Sequence, residues 1–234
     1  QKLTLAFEEQ MEKTEGKFLV TTYSSNISRL NQVIHAARKF NRKICFIGRS
    51  IIKAKDIAQN LGYMKIDKGM EVALENLRNI QDRNLVLIVA GSQGQENSAL
   101  TRIVNDDFRE VKLSSKDTVV FSSDPIPGNE ISVNSLLDAI SKKGARVFYS
   151  AISSDFHVSG HGSSEDLMLM MSLTNPKKVL PIGGTYRHMV AYKNLARRQG
   201  FLDKDILVVE NGQEVVFSKN EAYLGRKIPL NNVY

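Results

Sequence analysis

The segment His157-Val158-Ser159-Gly160-His161 places two of the chain's four histidines beside a serine hydroxyl. Imidazoles titrate near neutrality and can give or take a proton. A loop that leaves a strand and enters a helix also collects free backbone N–H groups. Together these groups could bind and protonate an anionic phosphate. Two loop histidines taken alone also fit plain capping and hydrogen bonding. Before them, Val147-Phe148-Tyr149 reads as a buried strand, and Glu165 to Met170 after them reads as a helix.

That strand, loop and helix sequence repeats along the chain. Phe18-Leu19-Val20 leads through Ser24-Ser25-Asn26 into a helix carrying Leu30, Val33, Ile34 and Ala37. Cys45-Phe46-Ile47 leads through Gly48-Arg49-Ser50 into Ile51 to Leu61, stopped by Gly62. Leu85 to Val89 leads through Gly91-Ser92-Gln93-Gly94 into a helix around Ala99, Leu100 and Ile103. Val119-Val120-Phe121 leads through a Pro125-Ile126-Pro127-Gly128 loop into Val133, Leu136, Leu137 and Ile140. Strands apolar on both faces that alternate with helices predict a doubly wound, mostly parallel α/β sheet, with ligands at the carboxyl ends of its strands. Further on, Ile206 to Glu210 and Glu214 to Phe217 flank Asn211-Gly212, which predicts a hairpin and a second sheet beginning around residues 150 to 180. Met168, Met170 and Met171 are expected to pack in a core.

Composition narrows the class. At 234 residues, 42% hydrophobic and 24% charged, the chain is long enough for a sizeable core and is neither disordered nor a coiled coil in its main content. Its longest apolar runs are too short for a bilayer span, so a cytoplasmic protein with no membrane partner is expected. Cys45 stands alone within Ile44 to Ile47, which leaves no disulfide framework or cysteine zinc site and suggests a small buried hydrophobe. The net charge of +7 favours an acidic partner such as nucleic acid. Yet Arg38-Lys39, Lys142-Lys143 and Arg197-Arg198 sit at helix ends, where they complement the helix dipole in any protein.

The remaining loops are individually weak signals. Gly91-Ser92-Gln93-Gly94 lacks the Gly-Lys-Ser/Thr of a phosphate loop and the spacing of a dinucleotide fingerprint, although a glycine-rich turn still presents N–H groups to a sugar-phosphate. Capping alone would explain Ser24-Ser25-Asn26. No complete zinc motif is present, so no metal ligand is assigned.

In this order, however, Ser25-Asn26, Gly48-Arg49-Ser50, Gly91 to Gly94, Pro125-Ile126-Pro127-Gly128-Asn129-Glu130, His157 to His161 and Tyr186-Arg187-His188 resemble the ribonuclease J family of β-CASP metallo-β-lactamase nucleases, from about Phe7 to Tyr234. The resemblance implies a ribonuclease that processes and degrades RNA, 5′-to-3′ exonucleolytically and endonucleolytically, with a two-zinc centre. It implies a connecting segment over 1–14, a β-CASP domain over 15–150, and the C-terminal part of a metallo-β-lactamase αββα domain over 151–234. His157, Val158, Ser159, Gly160 and His161 match the family's scissile-phosphate segment, with His157 and His161 catalytic and His161 assisting proton transfer. Ser25 and Asn26 match a backbone-contacting loop, and Gly91, Ser92, Gln93 and Gly94 match a loop lining the same cleft. Arg49 and Arg187 are candidate RNA guides.

Two departures accompany the resemblance. The family's metal-binding histidine run and an acidic motif are expected upstream of residue 1, so the chain alone holds no complete zinc site. The family's Pro-x-His-Gly-Glu ligand segment reads Pro181-Ile182-Gly183-Gly184-Thr185 here, with Gly183 at the ligand position. His188 matches a non-ligand histidine. Three readings follow: a nuclease part that binds RNA in a basic trough, a degenerate subunit for RNA binding or assembly, and an unrelated Rossmann-like nucleotide-binding domain. A homo-oligomer or a hetero-oligomer with a paralogue is expected. An isolated second sheet would expose an apolar face and self-associate.

Overall fold

The computed structural model describes residues 2–149, 156, 162–219 and 221–230. The phosphate-segment expectation on His157, Val158, Ser159, Gly160 and His161 lies outside them. Two compact units are present, divided between residues 158 and 159.

The first unit is built on five parallel strands, β1 (Phe18–Thr21), β2 (Lys43–Ile47), β3 (Leu85–Val89), β4 (Thr118–Phe121) and β5 (Arg146–Phe148), in the order β2-β3-β1-β4-β5. The doubly wound expectation holds. Parallel partners need a crossover, and helices α1 (Lys2–Glu12), α2 (Ile27–Lys39), α3 (Arg49–Asn60), α4 (Ala99–Val104) and α5 (Glu130–Lys142) cover the sheet. Successive strand residues point to opposite faces, so each strand supplies two cores. Phe18, Val20, Ile44, Phe46, Val86 and Ile88 meet α1 and α2, whereas Leu19, Cys45, Leu87, Val89 and Val119 meet α4 and α5. The helices answer with matching stripes: Leu30, Val33, Ile34 and Ala37 on α2, and Val133, Leu136, Leu137 and Ile140 on α5, are buried at helical spacing. Burial pushes the Cys45 thiol up to about 12, with Glu71 adding to the rise, which fits an inert core residue.

The residues read as a connecting segment form α1, whose Leu3, Phe7 and Met11 are buried in the first of these cores. They recur every fourth position, a stripe short enough to pass unnoticed in sequence.

Polar groups knit the amino edge of the sheet. The fully buried Asp117 carboxylate accepts from the Lys17 N–H at 2.7 Å and the Ser114 N–H at 2.8 Å, and it lies 3.2 Å from the Lys17 ammonium. Arg42 donates to the carbonyls of Gly16, Met11 and Thr14, and burial lowers its pKa. Arg146 reaches the Thr118 hydroxyl at 3.0 Å.

In the second unit, α6 (Ser164–Thr174) and α7 (Tyr186–Arg198) enclose a small core of Met171, Val179, Leu195, Ala196 and Ile206. The expected α6 is opened by a capping box: the Ser163 hydroxyl accepts from the Asp166 N–H, and the Asp166 carboxylate accepts from the Ser163 N–H. Two expectations need correction. Met171 is buried, but Met170 is 60% exposed, because consecutive helical residues point 100° apart and only one of that pair can face the core. The hairpin exists, but it pairs β6 (Gln213–Phe217) with β7 (Ala222–Lys227), antiparallel. Ile206 instead forms a parallel bridge with Val179. Asn211-Gly212 does make a turn, closed by the Gln213 N–H on the Glu210 carbonyl at 3.1 Å, but it joins no paired strands.

Replacing Asp117 by alanine leaves two buried N–H groups and the Lys17 ammonium uncompensated. The expected loss is about 3 kcal/mol of unfolding free energy, read as a lower urea midpoint at unchanged slope. A change below about 0.5 kcal/mol, the range of ordinary surface substitutions, would remove this carboxylate from the fold's essential contacts.

Candidate nucleic-acid interface

The five strands of the first unit run the same way, so the loops after β1 to β4 emerge at one edge. A cleft of about 1380 Å³ opens there. Tyr23 and Ser24 line it from the first loop, Gly48, Arg49 and Ser50 from the second, Gly91, Ser92 and Gln93 from the third, and Ile126 from the fourth. The four loops after β1 to β4 share this edge.

Gln93 fastens three of them. Its side chain is 5% exposed; the amide nitrogen donates to the Asp124 carbonyl at 3.1 Å and to the Tyr23 hydroxyl at 3.4 Å. The amide oxygen accepts from the Ile126 N–H at 2.7 Å and the Asn129 amide at 3.3 Å. Tyr23 in turn donates to the Asp124 carbonyl at 2.7 Å, and burial is the main cause that raises its phenol pKa. The glycines beside Gln93 are set by geometry. Gly91 has φ 124° and faces Ser98 so closely that a Cβ would lie 2.3 Å from its hydroxyl; Gly94 has φ 68°, and a Cβ would meet the Ser132 carbonyl at 2.7 Å.

Other expected site residues have local roles. Asn26 caps α2, its side-chain oxygen accepting from the Arg29 N–H at 3.0 Å. Ser25 is exposed, and neither it nor Asn26 nor Gly94 lines the cleft. Arg187 stands in the first turn of α7, in the second unit.

The cleft is nearly balanced in charge. Arg49, Lys55 and Arg102 face Glu71 and Glu96. Lys55 is engaged by Glu71 at 2.7 Å, and Arg102 stacks 5.2 Å from the Phe108 ring centroid. In the first unit, cations at the carboxyl ends of α2 and α5 lie at the other edge, where Arg38 pairs with Asp67 at 2.5 Å, Lys39 with Glu8 at 2.5 Å, and Lys143 with Asp106. The net positive charge of the chain is therefore not concentrated in the trough.

Sequence reasoning missed one cluster. Arg29 is 6% exposed, and its guanidinium donates to the Ser122 carbonyl at 3.1 Å, the Ser122 hydroxyl, and the Phe156 carbonyl at 2.6 Å. The Ser122 hydroxyl donates to that same Phe156 carbonyl at 2.5 Å. Burial lowers the Arg29 pKa. The Phe156 ring lies 5.5 Å from the rings of Phe7 and Phe148. The available signal was positional: Arg29 lies on the stripe with Val33, Ala36 and Ala37, where a cation has no reason to be unless buried acceptors await it.

In the second unit, Gly183 is exposed with φ 85°, and nothing lies within 4 Å of where a Cβ would stand. Thr185 caps α7, and its N–H donates to His188 Nδ1 at 3.2 Å. Among the described residues no group of three or more His, Cys, Asp or Glu side chains is placed to hold a metal ion. The segment 181–185 offers no donor side chain at its glycines, so these residues do not fit the zinc centre that the resemblance implies.

A family model described as the ribonuclease J beta-CASP domain matches residues 15–140, so the first unit carries a β-CASP domain. A model described as a Zn-dependent metallo-hydrolase RNA specificity domain matches residues 153–209. The chain belongs to the ribonuclease J family. It is 34% identical over 220 residues to ribonuclease J2 of Bacillus subtilis, covering 94% of this chain and 39% of that one. It is 35% identical over 218 residues to ribonuclease J of Mycoplasma genitalium, covering 93% and 38%, and 37% identical over 210 residues to ribonuclease J of Helicobacter pylori strain J99, covering 90% and 30%. The chain thus spans two fifths or less of these relatives. Membership sets aside the expectation of an unrelated Rossmann-like domain. No described helix is long and apolar enough to cross a membrane.

Gln93→Ala would strand the Ile126 N–H and free the Tyr23 and Asn129 side chains. We expect a loss of about 1–3 kcal/mol and faster amide exchange in the loops after β1 and β4, measured by hydrogen exchange with mass spectrometry. Unchanged protection there would show that the loops hold their places without it.

Proposed function

We propose that the chain is the β-CASP domain, over 15–150, and the C-terminal metallo-β-lactamase portion, over 151–234, of a cytoplasmic ribonuclease J-like nuclease that processes and degrades RNA. RNA phosphates lie along the carboxyl edge of the parallel sheet, where Arg49, Gly91, Ser92 and Gln93 face them. His157, Ser159 and His161 hold the scissile phosphate, with His161 assisting proton transfer. The observation that carries this reading is the convergence of four polar loops on one cleft, with Phe156, the residue before His157, anchored beside the end of β4. Zinc, in the longer protein, would supply the activated water for attack on the phosphodiester.

Because the cleft holds few unpaired cations, affinity for single-stranded RNA should depend on salt only modestly. A plot of log K against log salt should have a slope of about −1.5 to −2, from two or three phosphate contacts, and Arg49→Ala should flatten it by about 0.7. Fluorescence anisotropy on a labelled oligonucleotide measures both. No binding at low salt would refute the RNA reading, and a slope unmoved by the substitution would take Arg49 off the RNA path.

A second reading has its own observation. Gly183 cannot ligate a metal, and Gly184 and Thr185 complete the cap of α7 instead. On this reading the protein binds RNA or assembles with itself or an active paralogue, and the hairpin residues Phe217, Tyr223 and Leu224, at 65%, 51% and 49% exposure, are available for such contact. Metal analysis of the longer protein separates the two: two zinc ions per chain support the nuclease, and a substoichiometric content supports the degenerate subunit.

A further inference from the structure

Among the described residues, the cleft at the carboxyl edge of the first unit carries little free positive charge. Arg49, Lys55 and Arg102 line it together with Glu71 and Glu96, Lys55 is held by Glu71 at 2.7 Å, and Arg102 lies against Phe108. A polyanion entering such a space gains little from its phosphates, and the carboxylates oppose it. Holding a single strand there takes neutral contacts, and the neutral part of a nucleotide is the face of its base.

The lining supplies such contacts. Ile126 and Ile52 both open onto the cleft, at 48% and 40% exposure. A lone exposed isoleucine is ordinary. Ile126 differs in how firmly its backbone is held. Pro127 restricts the residue before it, and Pro127-Gly128 forms a type II turn, with Gly128 at φ 100° and the Asn129 N–H donating to the Ile126 carbonyl at 2.9 Å. The Ile126 N–H donates in turn to the Gln93 amide oxygen at 2.7 Å. A side chain on so fixed a backbone loses little freedom when a ligand covers it. Ile52 stands in the first turn of α3, its N–H bonded to the Gly48 carbonyl at 3.1 Å.

These two residues follow β4 and β2, which have β1 and β3 between them, so their strands are three spacings apart, roughly 14 Å. A base held between two side chains needs only about 7 Å, twice the stacking distance. We propose that Ile126 and Ile52 are base-contacting residues, each lying against the face of a different base of a single RNA strand. This rests on the reading of the cleft as RNA-contacting and names the form of RNA it takes. In a duplex each base face is covered by its neighbours, so the contact selects unstacked single strands. An aliphatic side chain meets the face and not the edge of a base, so the selection is independent of sequence.

The test is fluorescence anisotropy on the full chain with two labelled oligomers: a short oligouridylate, and the same ribose-phosphate backbone without bases at its internal positions. Ile126→Ala should weaken oligouridylate binding by about three- to tenfold. The slope against log salt should stay the same, because no counterion is released at this contact. Binding of the abasic oligomer should not differ between the variant and the unsubstituted chain. Ile52→Ala should behave alike, and the two factors should multiply in the double variant, since the contacts are separate. Ile52→Ala also decides the matter if an altered urea midpoint shows that Ile126→Ala is not properly folded. Equal weakening on both oligomers, a changed salt slope, or oligouridylate affinity untouched by the substitutions would overturn the base contacts while leaving the RNA reading intact. An unsubstituted chain that binds neither oligomer at low salt would overturn the RNA reading itself.

Discussion

Parallel pairing is the constraint from which the rest of the first unit follows. A parallel strand can be reached only by carrying the chain back along a helix, so every strand ends at the same edge and every helix begins there. With β1 seated between β3 and β4, the loops after these three strands become neighbours without being adjacent in sequence. Gln93 exploits that adjacency: one primary amide satisfies groups from three loops, which a helix cap or a local turn could not do. The opposite edge needs no opening, and buried polar groups centred on Asp117 close it.

The same directionality sorts the charge. Helices that start at the cleft end at the far edge, and cations placed to suit their carboxyl ends are carried away from the cleft. There they meet Asp67, Glu8 and Asp106. The two buried guanidiniums, Arg29 and Arg42, are committed to backbone carbonyls and to the Ser122 hydroxyl among the described residues. What remains at the mouth of the cleft is a few side chains on the first turns of α3 and α4, so a high overall isoelectric point overstates the local field that an RNA would meet.

Legibility in the sequence followed the range of the interaction. Strands such as Leu85 to Val89 and helices such as α5 were readable because their periodicities are local, and the order of the loops was specific enough to indicate the family. The partner of β6 was not readable: Asn211-Gly212 is a sound turn signal, but a turn fixes only its own bonds, and Ile206 found Val179 instead of Phe217. The tasks of Gln93 and Arg29 were not readable either. Each depends on groups some 30 to 127 positions away, such as Asp124 and Phe156, that only the folded sheet brings together. Gly91 and Gly94, by contrast, look in sequence like a phosphate cradle and are explained in the fold by the close approach of Ser98 and Ser132.

The packing of Phe7 against Phe156 carries a consequence for biosynthesis. Helix α1, which precedes the sheet along the chain, shares its core with a residue that emerges only after all five strands have been translated. Contacts of such separation close late, since the loop between them must be ordered before they gain anything. On the ribosome, α1 would therefore hold Leu3, Phe7 and Met11 partly uncovered through the synthesis of five strands. That interval is when a nascent chain of this kind is most open to chaperones and to misassembly with its neighbours.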